Sequence, residues 1–115
     1  MVLERGETVE LSVRGDCMRP LRSGDSVSVC RQRGYLPGDV VVVRGRGSWR
    51  VHRFLGYALG KRGVVVLTQA DDAESPDAPS TASLVLGRAD CQVTFADRLG
   101  AVGRYAAALA RRVRA

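Results

Sequence analysis

One lysine, one histidine, two phenylalanines, three tyrosines and one tryptophan leave this 115-residue chain poor in the residue types that most often mark a site. Its three cysteines, Cys17, Cys30 and Cys91, are an odd set with no CxxC spacing. That argues against a disulfide framework and against a zinc centre, so neither a metal nor any other cofactor is expected. No apolar run approaches the roughly 18 residues of a membrane-spanning helix. The first twenty residues carry Glu4, Arg5, Glu7, Glu10, Arg14, Asp16 and Arg19, which speaks against a secretory signal and for a cytoplasmic chain. Lys61 stands alone among arginines, and the formal net charge is +6 with a sequence pI near 10.0. Such a balance attracts acidic partners. No aromatic-basic motif or recognition helix accompanies it, so nucleic acid is not the favoured partner.

What is present is strand-forming. Hydrophobic residues make up 45% of the chain, enough for one globular domain with a core of its own. Val9–Val13, Ser26–Cys30, Asp39–Arg44, Trp49–Leu55, Val64–Thr68 and Leu84–Ala89, the last continuing towards Phe95, are short, valine-rich runs separated by turn residues. Gly60-Lys61-Arg62-Gly63 reads as a hairpin tip. Closely spaced strands without intervening helices predict a mainly β fold, a coiled antiparallel sheet or small barrel over residues 1–95. Residues 70–83 read as a long acidic loop. Beyond them, Asp97 is placed to cap an amphipathic, basic helix over 96–115, with Leu99, Val102, Ala106, Leu109 and Val113 at helical spacing. Packing of that stripe on the sheet with a solvated basic face is the first expectation, and contact with an anionic membrane or nucleic acid the second.

Two features carry chemistry. In Gly15-Asp16-Cys17-Met18-Arg19-Pro20 a small nucleophile lies between a glycine that permits a tight turn and a proline that stiffens the exit. The only histidine, His52, lies on an alternating strand, sharing a face with Arg50 and Phe54 and opposing Val51 and Arg53. Taken singly, Cys17 reads as an inert thiol and His52 as a hydrogen-bonded structural residue. Asp71 and Asp77 read as members of a solvated acidic loop.

Together these residues resemble a family. Cys17-Met18-Arg19-Pro20 followed by Gly24-Asp25, then Pro37-Gly38-Asp39-Val40-Val41-Val42, then Val51-His52-Arg53-Phe54-Leu55-Gly56, then Leu67-Thr68-Gln69-Ala70-Asp71 with Asp77, then Val85-Leu86-Gly87-Arg88 run in the order of motifs found in type I signal peptidases and the self-cleaving domain of LexA-type repressors. The blocks span residues 12–89. The His-Arg pair is similar to that of the archaeal and endoplasmic-reticulum signal peptidases, with Cys17 standing where the family has serine and Ala70 where it has glycine. The family's membrane anchor and the repressors' DNA-binding domain have no counterpart here.

The resemblance implies a LexA–signal peptidase type of β fold and a peptidase acting on an extended leader or precursor peptide. Cys17 would be the nucleophile and His52 the base, with Asp71 or Asp77 orienting the imidazole. The Cys17 backbone N–H, helped by an amide near Gly15 or Met18 and stiffened by Pro20, would hold the oxyanion. The alternative is a catalytically inactive module that binds a peptide or partner protein on the same scaffold. Cys30 and Cys91 are expected to be structural, and Trp49 and Tyr57 to pack at the core or its rim.

Overall fold

A computed structural model describes residues 8–12 and 26–114. Seven strands form one antiparallel sheet, curled into a half-barrel: β1 (Thr8–Ser12), β2 (Ser26–Cys30), β3 (Val40–Arg44), β4 (Trp49–Gly60), β5 (Gly63–Gln69), β6 (Ser80–Thr81) and β7 (Val85–Ala89), in the order β1-β2-β7-β3-β4-β5-β6. A single helix, α1 (Phe95–Arg114), follows. The mainly β class, the antiparallel pairing and the terminal helix all agree with the sequence reading. The hairpin tip also falls where expected, with Gly60 paired to Gly63.

Alternation in β3 and β4 builds two buried layers. Val40 and Val42 point to one side with Val27, Val29, Leu86 and Ala89, and Trp49, Val51, Val9 and Cys91 pack against them. Val41 and Val43 point to the other side with Phe54 and Val66, flanked by Tyr35 and Val85. Four consecutive valines serve because the β3 segment is covered on both faces, and β-branched side chains fit a pleated surface.

β4 runs longer than the Trp49–Leu55 expected. Its pairing with β5 slips between Phe54 and Gly56, and the bulge turns Leu55 to join Leu67 under α1, beside Ala101 and Ala108. The turn Leu36-Pro37-Gly38-Asp39 leads into β3. It is closed by the Asp39 N–H donating to the Leu36 carbonyl at 3.0 Å, with Gly38 at φ +101°, where only glycine sits without strain. Asp39 is buried, accepting from the Leu36 N–H and from Arg98 of the helix.

Three expectations are corrected. Residues 91–94 are not a strand, because Thr94 starts the helix. Its hydroxyl accepts from the Asp97 N–H at 3.0 Å while the Asp97 carboxylate accepts from the Thr94 N–H at 2.9 Å. Asp97 therefore completes a reciprocal capping box from inside the first turn and is not the cap itself. The 70–83 loop is partly ordered into β6 and a short 3-10 turn, Ala82–Leu84.

The helix also presents a different face to the sheet. Ala101, Tyr105, Ala108 and Leu109 pack inward, whereas Leu99, Val102 and Val113 are exposed. The rotation has a polar cause. Arg98 donates to the Pro37 carbonyl, Arg104 to the Ala70 and Asp71 carbonyls, and Arg112 to the Leu59 carbonyl. Turning these arginines inward satisfies turn and strand-end carbonyl acceptors.

Candidate functional site

His52 and Arg53 are neighbours in sequence and project through opposite faces of β4. In the β3 register His52 pairs with Val41 and Arg53 with Val40, so each inherits the layer of its valine. The two loop aspartates divide between them.

On one face Asp77 meets the histidine. Asp77 Oδ2 lies 2.6 Å from His52 Nδ1 and accepts from the Thr68 hydroxyl at 2.7 Å, with Arg50 Nε at 3.9 Å. The loop that carries Asp77 is pinned locally, because the Asp77 N–H donates to the Thr68 carbonyl at 2.9 Å. Thr68 pairs with Phe54 across the β4–β5 ladder and so shares the face of His52. Arg50, two residues before His52, reaches the Ser80 hydroxyl at 3.1 Å, and its buried Nε has no hydrogen-bond partner among the described residues. Side chains of His52 and Asp77 are only 14% and 16% exposed. Burial pushes the Asp77 carboxyl up, but hydrogen bonds from His52 and Thr68 and the charges of His52 and Arg50 outweigh it and hold the group below its ordinary value. Asp77 is therefore an anion at neutral pH. A neutral ring whose Nδ1 faces that anion carries its proton there, which leaves Nε2 without one. Among the described residues Nε2 has no hydrogen-bond partner.

On the opposite face Asp71 is held by Arg53. The guanidinium donates to both carboxylate oxygens, at 2.9 and 2.8 Å, and to the Gly38 carbonyl at 2.8 Å, with Asp97 at 3.8 Å. The Asp71 hydrogen bonds raise the Arg53 pKa further, against the opposing effect of burial. This network ties β4, the Gly38 turn, the acidic loop and the start of α1 together. Of the two aspartates read from the sequence, Asp77 is the one brought to His52.

Cys17, Gly15, Met18 and Pro20 lie outside the described residues. Cys91 packs against the Val40 layer, and burial raises its thiol pKa. Cys30 ends β2, half-buried. Trp49 packs on the same layer as Cys91, and the Tyr57 hydroxyl accepts from the Tyr35 N–H while its ring meets Phe54 edge-on, matching the packing roles expected of both. Thr68 and Arg50 were not singled out by sequence. The one available signal was alternation, which already set Arg50 on the His52 face.

A groove of about 520 Å³ is lined by Val66, Val85 and Tyr35 of one layer and by Trp49 and Leu86 of the other, and neither His52 nor Asp77 lines it. Arg31, Arg33, Arg44 and Tyr57 also line it. Among the described residues no helix is long and apolar enough to cross a membrane. Neither family models, nor curated proteins, nor solved structures gave a match to this chain.

Proposed function

We propose that this chain is a peptidase in which Cys17 attacks an extended peptide and His52, oriented by Asp77, moves the protons. The carrying observation is the 2.6 Å contact between His52 Nδ1 and the Asp77 carboxylate, with Nε2 left for chemistry. The ordered run of signal-peptidase-like blocks supports the same reading.

In this reading the Cys17 thiol gives its proton to His52 Nε2, and the thiolate attacks the scissile carbonyl carbon. The developing oxyanion is held by the Cys17 backbone N–H with a neighbouring amide near Gly15 or Met18. Collapse breaks the C–N bond as Nε2–H protonates the leaving amine, and a thioester remains on Cys17. Water, deprotonated by Nε2, attacks that thioester. The second product leaves as a carboxylic acid and the Cys17 thiol regains its proton. Asp77 stays ionised throughout. Its charge fixes the Nδ1–H tautomer and stabilises the imidazolium.

The test is to incubate wild type, Cys17→Ala and His52→Ala with a library of extended peptides and follow cleavage by mass spectrometry. Cleavage by wild type that both variants lose is the expected result. Cleavage that survives Cys17→Ala, or no cleavage together with a Cys17 no more reactive than Cys30 and Cys91, overturns the proposal and leaves a peptide-binding module.

A further inference from the structure

Helix α1 packs Tyr105 and Leu109 inward but turns four other large apolar side chains away from the protein. Phe95, Leu99, Val102 and Val113 are 76, 57, 49 and 86% exposed, while Ala101 and Ala108 fill the buried side. The spacing of these residues, with Ala106 between them, sets them along one face of a helix about 30 Å long. From Phe95 to Ala110 every exposed position is Phe, Leu, Val, Ala or Gly, and none is charged. The charge gathers at one end. Arg111 and Arg112 are exposed in the last turns, and Arg112 donates to the Leu59 carbonyl, which brings Lys61 and Arg62 of the exposed β4–β5 tip beside them. No acidic side chain from 91 to 113 is exposed.

We propose that this face of α1 docks on an anionic membrane surface, lying in the plane of the interface without crossing it. An apolar ridge buried at the headgroup boundary beside a cluster of cations is the arrangement that binds acidic lipid. Charge complementarity selects this occupant. A second copy of the chain would bring the same four cations and the same +6 net charge to the contact. A helix about 30 Å long and 10 Å wide also offers about 300 Å² of footprint, against about 800 Å² per partner in a stable protein interface. The proposal stands independently of the peptidase reading.

Co-flotation of the full chain with phosphatidylcholine vesicles, with and without roughly one-third phosphatidylglycerol, tests it. Capture by the anionic vesicles is expected to exceed capture by the neutral ones roughly tenfold and to fall as salt is raised. Leu99→Glu/Val102→Glu should abolish capture with the circular dichroism unchanged, and Lys61→Gln/Arg111→Gln should weaken it. If the glutamate pair disturbs folding, Leu99→Ala/Val102→Ala, which keeps helix propensity, is read in the same way. No capture by anionic vesicles overturns the proposal, as does capture indifferent to changes at Leu99 and Val102. Sedimentation showing a lipid-free dimer that those same changes dissociate would give the face to a second copy and overturn it too.

Discussion

His52 Nδ1 and Asp77 Oδ2 meet at 2.6 Å across 25 residues of sequence, and Thr68 donates to the same oxygen. One carboxylate oxygen thus joins β4, β5 and the acidic loop. Replacing Asp77 by asparagine is expected to lower unfolding free energy by about 1–3 kcal/mol, since hydrogen bonds to charged groups fall in that range. Urea unfolding of the variant against wild type checks it, and Thr68→Val should show a smaller loss.

Acid should weaken the same junction. Asp77 is held below its ordinary value of 3.8 in the folded chain, so the unfolded chain binds the proton more readily. The contribution is complete above the ordinary carboxylate range and is lost as pH falls through 3.8 towards the lower folded value. Asp97, lowered first by its bond from the Thr94 backbone, acts in the same sense. Stability measured against pH should fall less steeply for Asp77→Asn than for wild type across this acid window.

The three thiols should separate by rate. Burial raises the Cys91 pKa, leaving little thiolate at neutral pH, so Cys91 should react slowly with iodoacetamide. In the proposed mechanism Cys17 reacts fastest, and His52→Ala slows it roughly tenfold with little effect on Cys91. Peptide mapping after timed labelling reads all three positions at once.

Arg53→Met should be among the most damaging single changes. It removes the two-pronged partner of a largely buried Asp71 carboxylate and the donor to the Gly38 carbonyl, at a cost of about 3–5 kcal/mol. Arg53→Lys keeps the charge but not the fork and should recover only part of the loss in thermal melts.

Two glycines mark close approaches. A Cβ at Gly87 would stand 2.7 Å from the Cys30 carbonyl oxygen, a backbone atom that cannot swing aside. One at Gly56 would enter the Tyr105 ring of α1. Each alanine variant should lose about 1–3 kcal/mol in denaturant titration, with Gly87→Ala at the upper end because the ring has more freedom to move than the β2 backbone.

Most of the sheet was legible because the valine runs alternate and turn residues bracket them. The opposite facings of His52 and Arg53 followed from that alternation alone. The division of Asp71 and Asp77 between them did not, because it depends on how the loop folds back onto Thr68. The extension of β4 was hidden by the bulge at Leu55, which breaks the period of two. The orientation of α1 was misread because hydropathy ranks Leu99 and Val102 above Ala101 and Ala108. The deciding interactions were instead the arginine bonds to strand-end carbonyls, which no periodicity records.

Consecutive side chains that leave β4 in opposite directions make the strand a partition between two charge systems. A cation and its acid brace the helix on one side, and an imidazole and its acid stay poised on the other, with a layer of valine and backbone between. Either compartment can therefore be altered by mutation without lending its carboxylate to the other.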